Sequence, residues 1–181
     1  MNFCSHCGHS VTLRIPEGDN LPRYVCDACN AVHYQNPKMV VGAIPVWEDK
    51  VLLCRRAIEP RYGLWTLPAG FMENGETTGE GAAREAKEEA NANIEILSLY
   101  SMFDLPHINQ VYIMYRARLL DLHYRAGDES LEVALFAESD IPWERLAFRT
   151  IHETLRHFFG DRHRGHYGLH TGTITPTSRA S

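Results

Sequence analysis

The sequence predicts an α/β or α+β layered domain with mixed strands, preceded by a short segment of different character. Three observations carry this. Apolar segments follow one another as strand, strand, helix, strand, strand, helix, an order satisfied by layering helices on a sheet. Hydrophobic residues make up 44% of the 181 and charged residues 23%, enough to bury a core and too ordinary for wholesale disorder. Four of the five cysteines stand before residue 30, in two tight pairs.

Each element has its own signal. Residues 1–36 carry the cysteine pairs, Gly8, Pro16, Gly18 and Pro22, with little apolar periodicity. From Met39 the pattern changes: residues 39–47 and 50–55 read as two strands about the turn Glu48-Asp49. A Gly/Pro-rich passage, 63–70, follows. Thr77-Thr78-Gly79-Glu80 has the Thr-x-x-Glu form of a capping box, opening a helix through about Ala90. Residues 111–118 and 131–137 read as further strands, and Asp140-Ile141-Pro142 as the start of a short helical turn. Ile151, Leu155, Phe158 and Phe159 recur at helical spacing, with Gly160 as a stop. Residues 161–181 are polar, contain His163, His166 and His170, and read as a loosely docked tail. The expected organisation is therefore 1–36, 37–160 and 161–181.

Eighteen basic against 23 acidic residues give a formal charge of −5, and the isoelectric point is near 6.0. This argues against a dedicated binder of duplex nucleic acid, which normally presents a basic domain. No apolar run approaches the roughly 20 residues that span a bilayer. The start, MNFCSHCG, is polar and lacks a signal-peptide pattern, so a cytoplasmic protein is expected.

The paired cysteines are Cys4-x2-Cys7-x18-Cys26-x2-Cys29. Two such pairs at one end of a chain without a secretory signal read as metal ligands, since a structural zinc ion needs four soft donors in a tetrahedron. A mini-domain with so little apolar content could scarcely fold without the metal. Four thiolates complete that tetrahedron, so His6, His9 and His33 are expected at the surface. Cys54, in the apolar run Val51-Leu52-Leu53, is expected to be an inert core thiol.

A second constellation is Gly70-x5-Glu76-x7-Arg84-Glu85-Ala86-Lys87-Glu88-Glu89. On a helix Glu85, Glu88 and Glu89 stand at i, i+3 and i+4, sharing one face and repelling one another. A hard divalent cation relieves that repulsion, because magnesium prefers oxygen ligands. Gly70 allows a close backbone approach to the same cation, and Arg84 is placed to pair with a neighbouring carboxylate. An acidic solvated helix face is the alternative that Glu-Ala-Lys-Glu-Glu alone would suggest.

The full stretch from Gly70 to Ala92 resembles the Nudix box, G-x5-E-x7-R-E-U-x-E-E-x-G-U, where U is a bulky aliphatic residue. Every charged position is matched. Asn91 stands at the second glycine and Ala86 and Ala92 at the aliphatic positions. Asparagine accepts a left-handed helix end, and the alanines cost packing volume without touching the chemistry. Residues 33–42, 63–70 and 129–132 extend the resemblance to a zinc-ribbon-bearing Nudix branch that includes FAD and ADP-ribose pyrophosphatases. NADH pyrophosphatases also carry a four-cysteine site, with a later S-Q-P-W-P-F-P-x-S signature. Here residues 101–107 read Ser-Met-Phe-Asp-Leu-Pro-His, so ADP-ribose or FAD is expected ahead of NADH or NAD.

The resemblance implies an α/β/α sandwich with a mixed sheet that hydrolyses a nucleoside diphosphate linked to a second moiety, releasing AMP. It implies that Gly70, through its carbonyl, and Glu85, Glu88 and Glu89 hold magnesium or manganese, which neutralises the diphosphate and activates water. The general base would be Glu85 or a later glutamate, Glu132 or Glu129, with Glu132 given a fixed direction by its strand and Glu129 a mobile one. Arg55 and Arg56 are candidates for phosphate contact, and only one can face the site because strand faces alternate. Trp47, Trp65, Tyr34 and Phe103 offer stacking surfaces, although aromatic residues more often fill cores. His107 is expected in a solvent-facing loop. A rival reading is a zinc ribbon carried by an idle, nucleotide-sensing Nudix domain. Three repelling carboxylates, which a sensor does not need, argue against it. The ribbon as a homodimer surface is compatible with the enzyme reading.

Overall fold

The computed structural model describes residues 1–176; the last five residues of the expected tail lie outside the described residues. The chain divides into two compact units, Met1–Pro37 and the remainder from Lys38. The first is a small antiparallel sheet in the order β1 (Val11–Arg14), β2 (Arg23–Cys26), β3 (Val32–His33). Turns at Gly8 and Asn30, both with positive φ, close the two cysteine-bearing loops.

The second unit begins with β4 (Lys38–Trp47) and β5 (Lys50–Arg56), antiparallel about the expected turn. The short strands β6 (Trp65–Thr66) and β7 (Ala69–Phe71) pair with β5 and β4 and carry the Gly/Pro-rich passage. Helix α1 (Thr78–Ala90) starts on the capping box: the Thr77 side chain accepts from the Glu80 N–H while Glu80 reaches back to the Thr77 N–H. It ends at Asn91, whose φ of 49° is the left-handed cap that asparagine tolerates. Then come β8 (Ile94–Leu105), β9 (Gln110–Leu119), β10 (Ser130–Phe136), α2 (Arg149–Arg164) and β11 (His170–Thr173).

The main sheet runs β10-β5-β4-β9-β8-β11 and is mixed: β4 with β9 and β8 with β11 are parallel, the other pairs antiparallel. Alternation along β4 explains the layering. Ala43 packs with Ala82 of α1 and Ala117, whereas its neighbour Ile44 packs with Ile151, Leu155 and Phe158 of α2. The alanines on the inner side of α1 bring that helix close to the sheet. The aromatic and aliphatic side chains of α2 fill a thicker layer with Leu53, Tyr100 and Met114. This is the α/β/α sandwich.

Three expectations need correction. Helix α2 runs through Gly160 and stops at Gly165, whose φ of 68° supplies the left-handed cap. The segment after it is not loosely docked: His170–Thr173 adds a parallel strand to the edge of β8. Strand β8, the longest of the main sheet, has no counterpart in the sequence reading. Its pairing with β9 shifts register between Ile96 and Ser98 and between Leu99 and Ser101, and each shift breaks the period-two pattern by which a strand is recognised.

Candidate active site

Helix α1 presents its carboxylates toward the turn after β6. Glu85 and Glu89 are 8% and 7% exposed, while the Glu88 side chain is 58% exposed at the rim. Arg84 organises them. Its Nε and Nη2 donate to the two oxygens of Glu76 at 3.0 and 2.9 Å, and its Nη1 donates to Glu85 at 2.8 Å and Glu88 at 2.9 Å. Nη2 also donates to the Phe71 carbonyl, tying the helix to the end of β7. Glu76 in turn accepts from the Glu73 N–H, and the Arg84 guanidinium above all holds its carboxyl down at about 2.

Glu89 lacks such a partner. It accepts one hydrogen bond, from the Ala69 N–H at 3.3 Å, and burial followed by the Glu85 charge pushes its carboxyl up to about 8. Burial also raises Glu85, against the relief of Arg84, and the charge of Glu129 adds to the rise in both. A buried carboxylate in need of positive charge, next to a second one, is what a divalent cation would stabilise. Gly70 makes room: a Cβ there would collide with the Glu85 carboxylate. The residues present therefore fit a magnesium or manganese site.

These groups open on one cavity of about 1400 Å³, whose lining includes Gly70, Glu85, Glu88, Glu89, Arg84, Arg56 and Glu129. Two open alternatives separate here. Arg56 lines the cavity, with its guanidinium 5.1 Å from the Phe148 ring centre. Arg55 points the other way, donating to the Gly63 carbonyl and pairing with Glu132 at 3.5 Å. Glu132 stays with Arg55 and is absent from the lining, whereas Glu129 is part of it. The fixed direction of the strand points Glu132 away from the cavity.

The backbone at Glu129 is tied down, in contrast to the expected mobile loop, while its side chain is exposed. The connection before it caps the end of α1: the Arg125 N–H donates to the Ala90 carbonyl at 2.8 Å and the Gly127 N–H to the Glu89 carbonyl at 3.0 Å. Asn91 donates from its side chain to the Arg125 carbonyl, and the Ala57 N–H donates to the Glu129 carbonyl. Any side chain at Gly127 would run into the Glu88 carbonyl oxygen, so only glycine permits this approach.

Among the nominated aromatic residues, Trp65 and Phe103 are buried in the core, and Trp47 packs against the cluster of Leu52 and Leu119. Tyr34 is exposed on the first unit beneath the Arg23 guanidinium. The cavity instead uses Phe71, Tyr112 and Phe148, which the sequence reading missed. Phe71 and Phe148 carry no periodic signal, and Tyr112 is one of several alternating strand residues. His107 is exposed, as expected, on a short turn at the cavity edge. Cys54 is buried, and its thiol is pushed well up by that burial.

In the first unit the four cysteine Sγ atoms lie within 4.8 Å of one another. Cys4 and Cys29 are 3.6 Å apart and Cys7 and Cys26 3.5 Å, far beyond the roughly 2.05 Å of a disulfide and near the roughly 3.8 Å edge of a tetrahedron about zinc. The donor set fits a structural zinc ion. His33 departs from its expected surface place: it is buried, with Nε2 3.2 Å from the Cys4 sulfur, and the His6 N–H donates to the same atom. Its strand pairs with Tyr24 beside the second cysteine loop, and that pairing turns the ring inward.

Residues 36–161 match the model of the NUDIX domain, and residues 2–35 match that of the Nudix N-terminal region. The chain belongs to the Nudix hydrolase family. A crystal structure of a Nudix hydrolase from Nitrosomonas europaea is 60% identical to this hydrolase and superposes with a TM-score of 0.94 over 97% of this chain and all of that one. An ADP-ribose pyrophosphatase from Methanocaldococcus jannaschii is 31% identical over 121 residues, covering 64% of this chain and 69% of that one. The NAD-capped RNA hydrolase NudC of Edwardsiella ictaluri is 31% identical over 144 residues, covering 79% of this chain. This Nudix hydrolase spans only about half of that relative's length. Among its described residues, no helix is long and apolar enough to cross a membrane.

Proposed function

We propose that this Nudix hydrolase cleaves the diphosphate bridge of a nucleoside diphosphate derivative, with Glu129 as general base. The observation that carries it is the convergence of Glu85, Glu88 and Glu89 at Gly70, in one cavity with Glu129 and Arg56. Bound magnesium or manganese would supply Lewis-acid charge to the diphosphate and acidify water. Gly70 through its carbonyl and the three α1 carboxylates would hold it, with Arg84 fixing the directions of Glu85 and Glu88. Arg56 would draw the phosphate oxygens into the cavity. Glu129 would take a proton from the attacking water as its oxygen bonds to one phosphorus and the bridging oxygen leaves with the other phosphate.

For the substrate we rank NAD(H) and ADP-ribose ahead of FAD. The relatives described above are named for ADP-ribose and for NAD-capped RNA. This moves NAD(H) up from the place that the missing signature gave it. Hydrolysis would give AMP with nicotinamide mononucleotide or ribose 5-phosphate.

The test compares AMP release from NADH, ADP-ribose and FAD, with and without magnesium, in the wild type, Glu129→Gln and Glu132→Gln. We expect Glu129→Gln to lower kcat about a hundredfold or more. Glu132→Gln should stay within about twofold, as befits an exposed ion pair. Equal losses in both variants would remove Glu129 from the role. Turnover independent of metal would remove the reaction class.

A further inference from the structure

The polar segment after α2 builds a clasp whose far end forms part of the cavity. Asp161, 3% exposed near the end of α2, accepts from the Tyr100 hydroxyl at 2.9 Å and from Arg164 at 2.5 Å. Its Oδ2 lies 2.7 Å from His170 Nε2, at the first residue of β11. The His170 ring also stacks on His157 of α2, with centroids 4.1 Å apart, and His157 stacks on Phe103. This fixes where β11 starts, and its parallel register fixes where it leads: His170 beside Ser101 and Thr173 beside Asp104. The Ile174 N–H then donates to the Asp104 carbonyl at 2.9 Å, and the Thr175 carbonyl accepts from Arg149 at the start of α2. Ile174 is thereby packed with Phe103, Leu105 and Tyr112, and Ile174, Thr175 and Pro176 line the cavity of the α1 carboxylates.

The sheet register relates this wall to the candidate metal site. Phe71, next to Gly70, pairs with Val40, and Val40 pairs with Tyr112. Two strand spacings, roughly 10 Å, thus separate Tyr112 from the backbone beside Gly70. Around Gly70 the lining is charged. Around Tyr112 it is apolar, from Leu105, Ile108 and Ile174. A nucleotide has the same division, with charged phosphates joined through a ribose to a flat base with apolar faces.

We infer that the exit of β11, Ile174–Pro176, forms with Leu105, Ile108 and Tyr112 the subsite for the adenine base of the substrate, and that the Asp161–His170 clasp holds it in place. The inference rests on the diphosphate-hydrolase reading and adds which part of the substrate this segment meets. Loss of apolar contact at Ile174 would then weaken recognition of the base and leave the chemistry at the phosphates intact.

The test compares the wild type and Ile174→Ala on ADP-ribose and on 5-phosphoribosyl 1-diphosphate, which offers a diphosphate on a ribose without a base. We expect KM for ADP-ribose to rise about tenfold with kcat held within about twofold, the scale of losing a few methylenes from a pocket. The KM for the baseless compound should change several-fold less. Calorimetric titration with AMP in magnesium gives a readout that needs no turnover: Ile174→Ala should weaken AMP binding and spare ribose 5-phosphate. Equal changes with and without a base, or unchanged AMP affinity, overturn the inference. A wild type that binds AMP but cleaves none of the diphosphates sinks the hydrolase reading, and the AMP titration still decides the subsite. Where Ile174→Ala lowers the thermal midpoint appreciably, Ile174→Val takes its place, with a smaller shift in the same direction expected and none overturning the proposal.

Discussion

Residues 1–37 and the unit from Lys38 hold their shapes by different physics. In the first unit the buried apolar residues are Cys4, Val25 and Cys26, two of them candidate metal ligands, while Phe3, Leu13, Ile15 and Leu21 remain exposed. Burial of that extent cannot offset the conformational entropy of ordering the segment. The second unit has the opposite balance: Ile44, Leu53, Leu67, Tyr100, Leu155 and Phe158 are fully buried within two layers. The difference teaches that a metal acts in opposite senses in the two units. On this reading four thiolates would need it to hold a fold together, whereas the buried carboxylates of α1 would be carried by a fold that does not depend on it.

The largest effect should come from breaking the first unit. Chelation, or Cys26→Ser, should release about one zinc per chain and unfold residues 1–37, since structural zinc is worth about 10 kcal/mol or more to such modules. The thermal transition of the second unit should stay within a few degrees. Hydrogen exchange resolved by segment checks both, and a first unit that stays protected without metal breaks the comparison.

Next in size is Glu89→Gln, which should lower kcat on the order of a thousandfold by removing a metal-ligating anion. Its effect on stability should have the opposite sign. Without a metal, burial and then the Glu85 charge push the Glu89 carboxyl up to about 8, from the roughly 4.5 of an unburied glutamate. Its contribution is therefore fully present below about pH 4.5 and is lost as the pH rises through about 8. Glu89→Gln removes that loss, so the metal-free variant should melt above the wild type at pH 8 and match it more closely at pH 5. Thermal scans with a chelator at the two pH values decide it, and a variant that melts lower at pH 8 would falsify the assignment of strain to this carboxylate.

The smallest of the three is Gly127→Ala. The added Cβ meets the Glu88 carbonyl oxygen, so the connection must lift from the end of α1 and carry Glu129 with it. Displacement of a catalytic group by about 1 Å costs on the order of a hundredfold. We expect kcat to fall between tenfold and about that limit with little change in KM. Retention of full kcat would show that Glu129 does not depend on this docking.

Much of the site was legible before any geometry. Glu85, Glu88 and Glu89 share a face because helical spacing is local, and Thr77, Glu80 and Asn91 mark the helix ends because caps are local too. Glu129 and Glu132 could not be ranked that way. Which one enters the cavity depends on a register shift between Ser130 and Glu132 and on the capping of α1 by Arg125 and Gly127, contacts between segments more than 30 residues apart. Tyr112 and Ile174 were invisible as neighbours for the same reason.

By itself the sequence determined the cysteine tetrad, the capped acidic helix and the family, since each rests on spacings within a few turns of chain. Tertiary structure alone decided that Arg56 faces the cavity and Arg55 does not, that Glu129 lines it and Glu132 does not, that His33 turns in toward the Cys4 sulfur, and that the polar segment after α2 becomes a strand whose exit lines the cavity. These outcomes depend on strand register and on hydrogen bonds across the sheet, and no local pattern of side chains encodes a register that is fixed only when its partner strand is in place.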